Sequence, residues 1–558
     1  MSIAPSLVGR PAALALLLLA ATPLRADDPP PPAPAAHLGE RDVATRVRDL
    51  IGILGPRATT RSIGTSREGR AIELVILGDP DLARRRPALL LVGGMDGANL
   101  ASPNQVLASL AAIARESPEL LDHVRVYAIP VANPDARAAA FASAHPRPTN
   151  AREVDEDRDG GTAEDPPRDV DGDGVVAMMR RIAPPGRAAT HVVDATDPRI
   201  VRPAKRDKGE RATHELFVEG SDLDGDGQIA EDGTAGVDLD RNFPHRWPEF
   251  SPDAGPFQLS EPESLAIATF VRAHPEITTA VVFGRHDVLA NFPDVRDMDP
   301  TGRTPMVYLE DDHPLYREFS QLWKESTKLE KSANADLSGS LVLWLANHRG
   351  IAAVAANGWH RPEPPSPPEG TPPPPETGDP EQSAWLAVSD SLRGGRGFVA
   401  WKPFAHPTLG QVEIGGFAPF LRESPTAAEA EEIALKSAAF VKALAARRPV
   451  VATSELRIEP LADGLARLSL RILNDGTLPT TTAMGVRTDR VPPIVVRLST
   501  TPEDVLSGRR VEKIERLAPG EARDFTWIVR VAPGAASVAT ITGPTFDPIV
   551  RAAEGAAR

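Results

Sequence analysis

The sequence predicts an α/β fold, a mixed sheet with helices on both faces, followed by a small β-sandwich. Three features lead to that expectation. Apolar strand-like runs alternate with helical patterns between residues 40 and 446. A glycine-rich turn, Gly93-Gly94-Met95-Asp96-Gly97, follows the apolar run Ala88–Val92. Beyond Arg448-Pro449 the chain changes to short alternating runs divided by turn residues. Open sheets of this kind bind ligands beyond the carboxyl ends of their strands, which directs attention to Gly93-Gly94.

Taken in order, residues 40–54 carry apolar side chains at helical spacing (Val43, Val47, Leu50, Ile51, Leu54), and Gly55-Pro56 stops the helix. Residues 72–76, 88–92 and 124–131 are apolar enough for buried strands, with a helix at 101–115 between the last two. The pattern resumes with a helix at 261–273, a strand at 278–283, a helix at 313–329 and a buried strand at 351–356. Residues 361–380 form a proline-rich insertion without apolar content and are expected as exposed loop. Strand and turn character at 401–417 and a helix at 427–446 complete the unit, expected to span 39–448. The β-sandwich is expected over 453–558, on runs at 456–458, 466–473, 494–498, 524–531 and 538–541.

A single early arginine, an apolar run at 12–21 and Leu24-Arg25-Ala26 predict a cleaved leader over 1–26, followed by a proline-rich linker over 27–38. The leader's apolar run is far short of the roughly 20 residues needed to span a bilayer. No other window approaches spanning length, so the expectation is an exported periplasmic or extracellular protein without a transmembrane segment. The chain has no cysteine, which excludes disulfides and thiolate metal sites. Its formal net charge of -15, without a compensating basic block, argues against a nucleic-acid partner. A length of 558 residues is ample for a large core.

Much of the acid is local, in an insertion expected at 150–235. Three segments read Asp-x-Asp-x-Asp-Gly, with Asp155, Asp157 and Asp159, then Asp169, Asp171 and Asp173, then Asp222, Asp224 and Asp226. Alternating oxygens and a turn glycine are what Ca2+ requires, and Asp232 is placed to help close the third shell. The second segment has Arg180 at its twelfth position, where a standard calcium hand has glutamate. Bound calcium would act as scaffold.

Several motifs occur in a specific order: Ser62-Ile63-Gly64 with Glu68-Gly69-Arg70, Gly93-Gly94, Ile129-Pro130-Val131-Ala132-Asn133-Pro134-Asp135, Val237-Asp238-Leu239-Asp240-Arg241-Asn242-Phe243-Pro244, and Ser260-Glu261-Pro262-Glu263. In that order they resemble the carboxypeptidase A-like zinc metallocarboxypeptidases (peptidase family M14), especially bacterial members with a C-terminal β domain. The resemblance implies a carboxypeptidase-like α/β/α domain, a Zn2+ cofactor and hydrolysis of peptides from the C-terminus. It also implies where the working residues should be, and there the chain departs from the family.

The zinc-binding pair falls on Asp96 and Asn99, and the later histidine ligand falls on Gly284, with His286 two residues on. Asn99 offers only a neutral carbonyl oxygen, a poor match for zinc. The general base falls on Asn357, which cannot accept a proton from water near neutral pH. Glu413, in Gly410-Gln411-Val412-Glu413-Ile414, superficially resembles the lost base but lies beyond the insertion. Arg241 remains as the expected anchor for a terminal carboxylate, beside Asp240 where the family has asparagine.

Three functions follow. The first is a carboxypeptidase-like protein that has lost its chemistry and binds peptide C-termini or cell-wall peptides. The second is a working metallocarboxypeptidase with a metal site built from Asp96, His286 and one further ligand. The third is a calcium-stabilised surface scaffold whose β domain binds a partner or a glycan.

Overall fold

The structure is a computed structural model. It describes residues 37–554 apart from 144, 155–161, 163–164, 231–235, 295–297, 334, 367–375, 463 and 532–535. The expected leader, most of the linker, Asp155, Asp157, Asp159, Asp232 and the middle of the proline-rich insertion lie outside the described residues.

The chain opens with helix α1 (Glu40–Leu54), whose buried Val43, Val47 and Leu50 recur at helical spacing. Then come β1 (Ala58–Thr65), β2 (Ala71–Leu77), β3 (Ala88–Val92), α2 (Ser102–Glu116), β4 (Arg125–Ile129) and α3 (Pro134–Ser143). The acidic excursion contains β5 (Met178–Ile182), β6 (His191–Val193), β7 (Val201–Pro203) and β8 (His214–Val218). It is followed by α4 (Pro262–Ala273), β9 (Ile277–Phe283), α5 (His313–Thr327), α6 (Leu341–Arg349) and β10 (Ala352–Ala356). Helix α7 (Pro380–Leu392), β11 (Phe398–His406), β12 (Gly410–Phe417) and α8 (Ala427–Ala445) complete this part.

Six strands form the main sheet in the order β1-β2-β4-β3-β9-β10. The β1/β2 and β2/β4 pairs are antiparallel and the rest are parallel, so the sheet is mixed as expected. Every residue of β3 and β4 is buried, which requires cover on both faces and explains why these strands read as continuous apolar runs. Helices α1, α2, α5 and α8 pack against one another, while α4 packs on β1 and α6 on β9 and β10. Helix α8 starts with a reciprocal cap between Thr426 and Glu429, and α6 ends at Gly350 in the left-handed region.

The excursion at 150–235 differs from the loops expected of it. Strands β5 to β8 join β11 and β12 in a second six-stranded sheet, ordered β11-β12-β5-β8-β6-β7. Their signal is weak because they are short, half-buried and set among aspartates. Helices α3, α6 and α7 were also not anticipated, since ten, nine and thirteen residues beside Pro-rich or Gly-rich turns give little periodicity to read.

The C-terminal part contains β13 (Val451–Thr453), β14 (Arg457–Pro460), β15 (Leu465–Asn474), α9 (Ala483–Thr488), β16 (Ile494–Leu498), β17 (Val505–Ser507), β18 (Val511–Ile514), β19 (Ala522–Arg530), β20 (Ala536–Thr542) and β21 (Ile549–Glu554). They form two sheets, β13-β15-β19-β17 with β14 on β15, and β18-β16-β20-β21. Leu468, Leu470 and Trp527 from one and Val496, Leu498 and Ile541 from the other share a single core. Asp312, just before α5, ties this part to the first by accepting from the Ala483 and Met484 amides at 2.6 and 2.9 Å. Among the described residues no helix is long and apolar enough to cross a membrane.

Candidate functional site

Three neighbouring parallel strands end at one place. Beyond β3 lies Asp96, beyond β9 lies Arg285, and beyond β10 lies Asn357, and all three line a cleft of about 500 Å³. That is the size of a small-ligand site. Gly94 permits the turn out of β3, because its φ of +61° and its approach to Val131 exclude a side chain. Asn99, Trp359, Arg422 and Glu423 complete the lining that bears on chemistry.

Asp96 is held in place by the Ala98 amide, which donates to its Oδ1 at 2.7 Å. Burial pushes its carboxyl up to about 6, against the pull of the Arg285 charge. Asn99 spends its side-chain oxygen on the start of α2, accepting from the amides of Ala101 and Ser102 at 3.2 and 3.1 Å. Asn357 is buried, and its backbone oxygen accepts from Gln105 at 3.2 Å. At the rim, burial raises the Glu423 carboxyl and lowers Arg422, whose guanidinium lies 3.9 Å from the centre of the Phe417 ring.

Arg285 donates through Nη2 to Asp238 Oδ2. Asp238 and Asp240 sit on a short turn, Leu239–Arg241, and are 2 % and 4 % exposed. Asp238 caps that turn through the Asp240 amide at 3.0 Å. Asp240 accepts from the Leu341 amide at 2.7 Å, at the start of α6, and its other oxygen lies 3.2 Å from His286 Nε2. Burial opposes ionisation of Asp240, but the His286 charge and the Leu341 amide outweigh it and hold the carboxyl below its ordinary range. Burial raises Asp238, with Arg285 pulling the other way. Burial likewise works against the Arg285 charge, and Asp238, Asp96 and Asp240 together more than restore it.

The remaining expected residues are placed elsewhere. Arg241 is not among the residues lining the cleft; its Nε lies 3.1 Å from Asp253, with Asp336 at 3.7 Å from Nη1. Gly339, at φ +76°, lies against the Arg241 carbonyl and allows α6 to approach. Glu413 belongs to the second sheet, opposite Arg180 in register and 2.8 Å from its Nε. Of the acidic segments, Asp165, Asp222, Asp224 and Asp226 form one group and Asp169, Asp171 and Asp173 another, each with carboxylate oxygens within 4.8 Å of one another. Arg285, Asp238, Arg422 and Glu423 escaped the sequence reading. The signal that could have found Arg285 is its place immediately after a buried strand beside an expected ligand position.

Residues 54–171 match the family model for zinc carboxypeptidases, and residues 450–545 match a domain of unknown function. The resemblance read from the motifs is therefore met by that family model over the first stretch. Among solved structures, the chain is similar to bovine thrombin-activatable fibrinolysis inhibitor at 13% identity, covering 73% of this chain and 98% of that one, with a TM-score of 0.38. It is similar to a metallo-carboxypeptidase from Burkholderia cenocepacia at 12% identity, over 73% of this chain and 69% of that one, with a TM-score of 0.36. It is also similar to carboxypeptidase A from Helicoverpa armigera at 13% identity, over 58% of this chain and 65% of that one, with a TM-score of 0.35. The chain thus spans just under two thirds of the insect enzyme's length. No curated protein matches the chain.

The residues present do not fit zinc. Asn99 is committed to capping a helix, His286 lies against Asp240, and Asp96 shares its surroundings with a guanidinium. Catalytic zinc normally takes three protein ligands. Among the described residues, Asp96 and His286 belong to neither group of three or more clustered metal-binding side chains.

Proposed function

We propose that this chain is an exported carboxypeptidase-like protein whose cleft receives peptide C-termini, including those of cell-wall peptides, without hydrolysing them. The observation that carries this reading is the amide at Asn357, which stands at the end of β10 on the cleft where the resemblance calls for a base. A side-chain amide cannot take a proton from water near neutral pH, and a positioned base contributes roughly 10²- to 10⁴-fold to such a reaction. The cleft itself, with apolar, cationic and anionic groups converging at the ends of parallel strands, supports ligand binding.

Calcium in the two acidic groups is the scaffold part of the reading. It rests on the convergence of Asp165, Asp222, Asp224 and Asp226 beside Asp169, Asp171 and Asp173.

The test combines three measurements on the purified protein: metal content by mass spectrometry, binding of peptides with varied C-termini, and hydrolysis of the same peptides with added zinc. Binding with no zinc and no turnover is the expected outcome. One tight zinc with chelator-sensitive hydrolysis would establish the working metallocarboxypeptidase instead. Partner capture that needs only residues 454–558 would favour the surface scaffold.

A further inference from the structure

We propose that Arg285 is a built-in cation standing in for the metal, held by Asp238 with Asp96 and Asp240 close by, and that it anchors a ligand carboxylate in the cleft. The second half of this proposal rests on the reading of the cleft as a peptide-end site; the first half does not.

Three observations lead to it. The first is charge. Asp238 and Asp240 are nearly fully buried, and Asp96 lines the cleft. Buried carboxylates need a counter-charge, since an uncompensated one is strongly destabilising. His286 answers Asp240 at 3.2 Å, and Arg285 answers Asp238. The second is place. Arg285 is delivered by β9, the strand between those that deliver Asp96 and Asn357. Its guanidinium therefore sits among the positions that the zinc carboxypeptidase resemblance assigns to the metal site.

The third is unused donor capacity. A guanidinium has five N–H donors. Among the described residues Arg285 makes one side-chain hydrogen bond, to Asp238, and its Nε is buried without a partner. The side chain is nevertheless 27 % exposed and lines the cleft, so donors remain for a ligand oxygen there. A carboxylate is the group that matches a guanidinium fork, through two parallel hydrogen bonds. Arg241, the anchor suggested by the motif, is instead occupied by Asp253 and Asp336.

Thermal unfolding of the purified chain tests the first half. Arg285→Met should lower Tm by roughly 4 °C, Arg285→Lys should stay close to the parent, and Arg285→Met with Asp238→Asn should recover more than half of the loss. Equal stability of Arg285→Met and the parent, or a further loss on adding Asp238→Asn, would overturn it. Should Arg285→Met fail to fold, the double variant is still expected to fold; its failure where Asp238→Asn alone folds would count against the proposal.

Binding of the tripeptide Ala-Ala-Phe and its C-terminal amide tests the second half. The parent should prefer the free acid by about 10-fold, and the double variant should lose that preference while keeping its affinity for the amide. A preference unchanged in the double variant would remove Arg285 as the anchor. If the parent binds neither peptide, the peptide-end reading fails and the anchoring role with it, while the unfolding series still decides whether Arg285 holds the acids.

Discussion

Asp238 and Asp240 are almost entirely buried, whereas Asp224 and Asp226 stand in solvent, although all four belong to dense clusters of carboxylates. The buried pair faces the Arg285 guanidinium and the His286 ring, and accepts from amides at the starts of two short helical segments. The exposed group uses backbone amides of its own loop, such as Gly225 donating to Asp222 at 2.7 Å and Asp226 to Asp224 at 2.9 Å. Water screens the remaining repulsion there, so no internal cation is required. A cluster of acids is thus no guide to function until its burial and counter-charges are known.

The largest way to break the comparison is to remove a buried member. Asp240→Ala strips the Leu341 amide of its acceptor and leaves His286 without its carboxylate, and should cost about 3–5 kcal/mol in urea unfolding. A loss below about 1 kcal/mol would mean that the buried pairing stabilises little.

Glu219 sharpens the comparison because it lies between the two regimes. It is fully buried and accepts from the Val170 and Ala177 amides at 2.8 and 2.7 Å, yet among the described residues no guanidinium pairs with it. Burial, with Asp171 and Asp169 nearby, pushes its carboxyl up to about 7 from 4.5. Folded Glu219 therefore holds its proton more tightly than an unfolded glutamate, and its stabilising contribution is full below about 4.5 and is lost as pH rises through about 7. The expected fall is about 3 kcal/mol, and Glu219→Gln should flatten it in unfolding curves taken between pH 4.5 and 8.

The exposed loops should show the smallest effects. Added calcium at ten times its Kd should stabilise the chain by about 1.4 kcal/mol, measured as a rise in Tm, and Asp224→Asn should abolish the rise. Without calcium the same substitution should change stability by less than about 0.5 kcal/mol. A calcium-independent Tm would remove the scaffold role.

Much of the main sheet was legible because its strands are continuous apolar runs: Ala88–Val92 and Ala352–Ala356 lie where the pattern puts them. The second sheet was not, because strands such as His191–Val193 have three residues and only pair usefully with partners far along the chain. The candidate site was legible in part. Asp96, Asn99 and Asn357 line the cleft, but the spacing fell on Gly284 with His286 two residues on, whereas the guanidinium of Arg285 faces the cleft.

The sequence by itself determined the order of the main sheet's strands and the strand ends that carry the cleft, because periodicity and turn chemistry act over a few residues, while the amide at 357 came to notice through the family resemblance. Only the tertiary structure decided which of Arg285 and His286 enters the cleft, that Arg241 turns to Asp253, and that Glu413 answers Arg180. Neighbouring residues leaving a strand point in different directions, and a charged side chain settles against whichever distant partner the fold brings within reach, so neither outcome is written in local spacing.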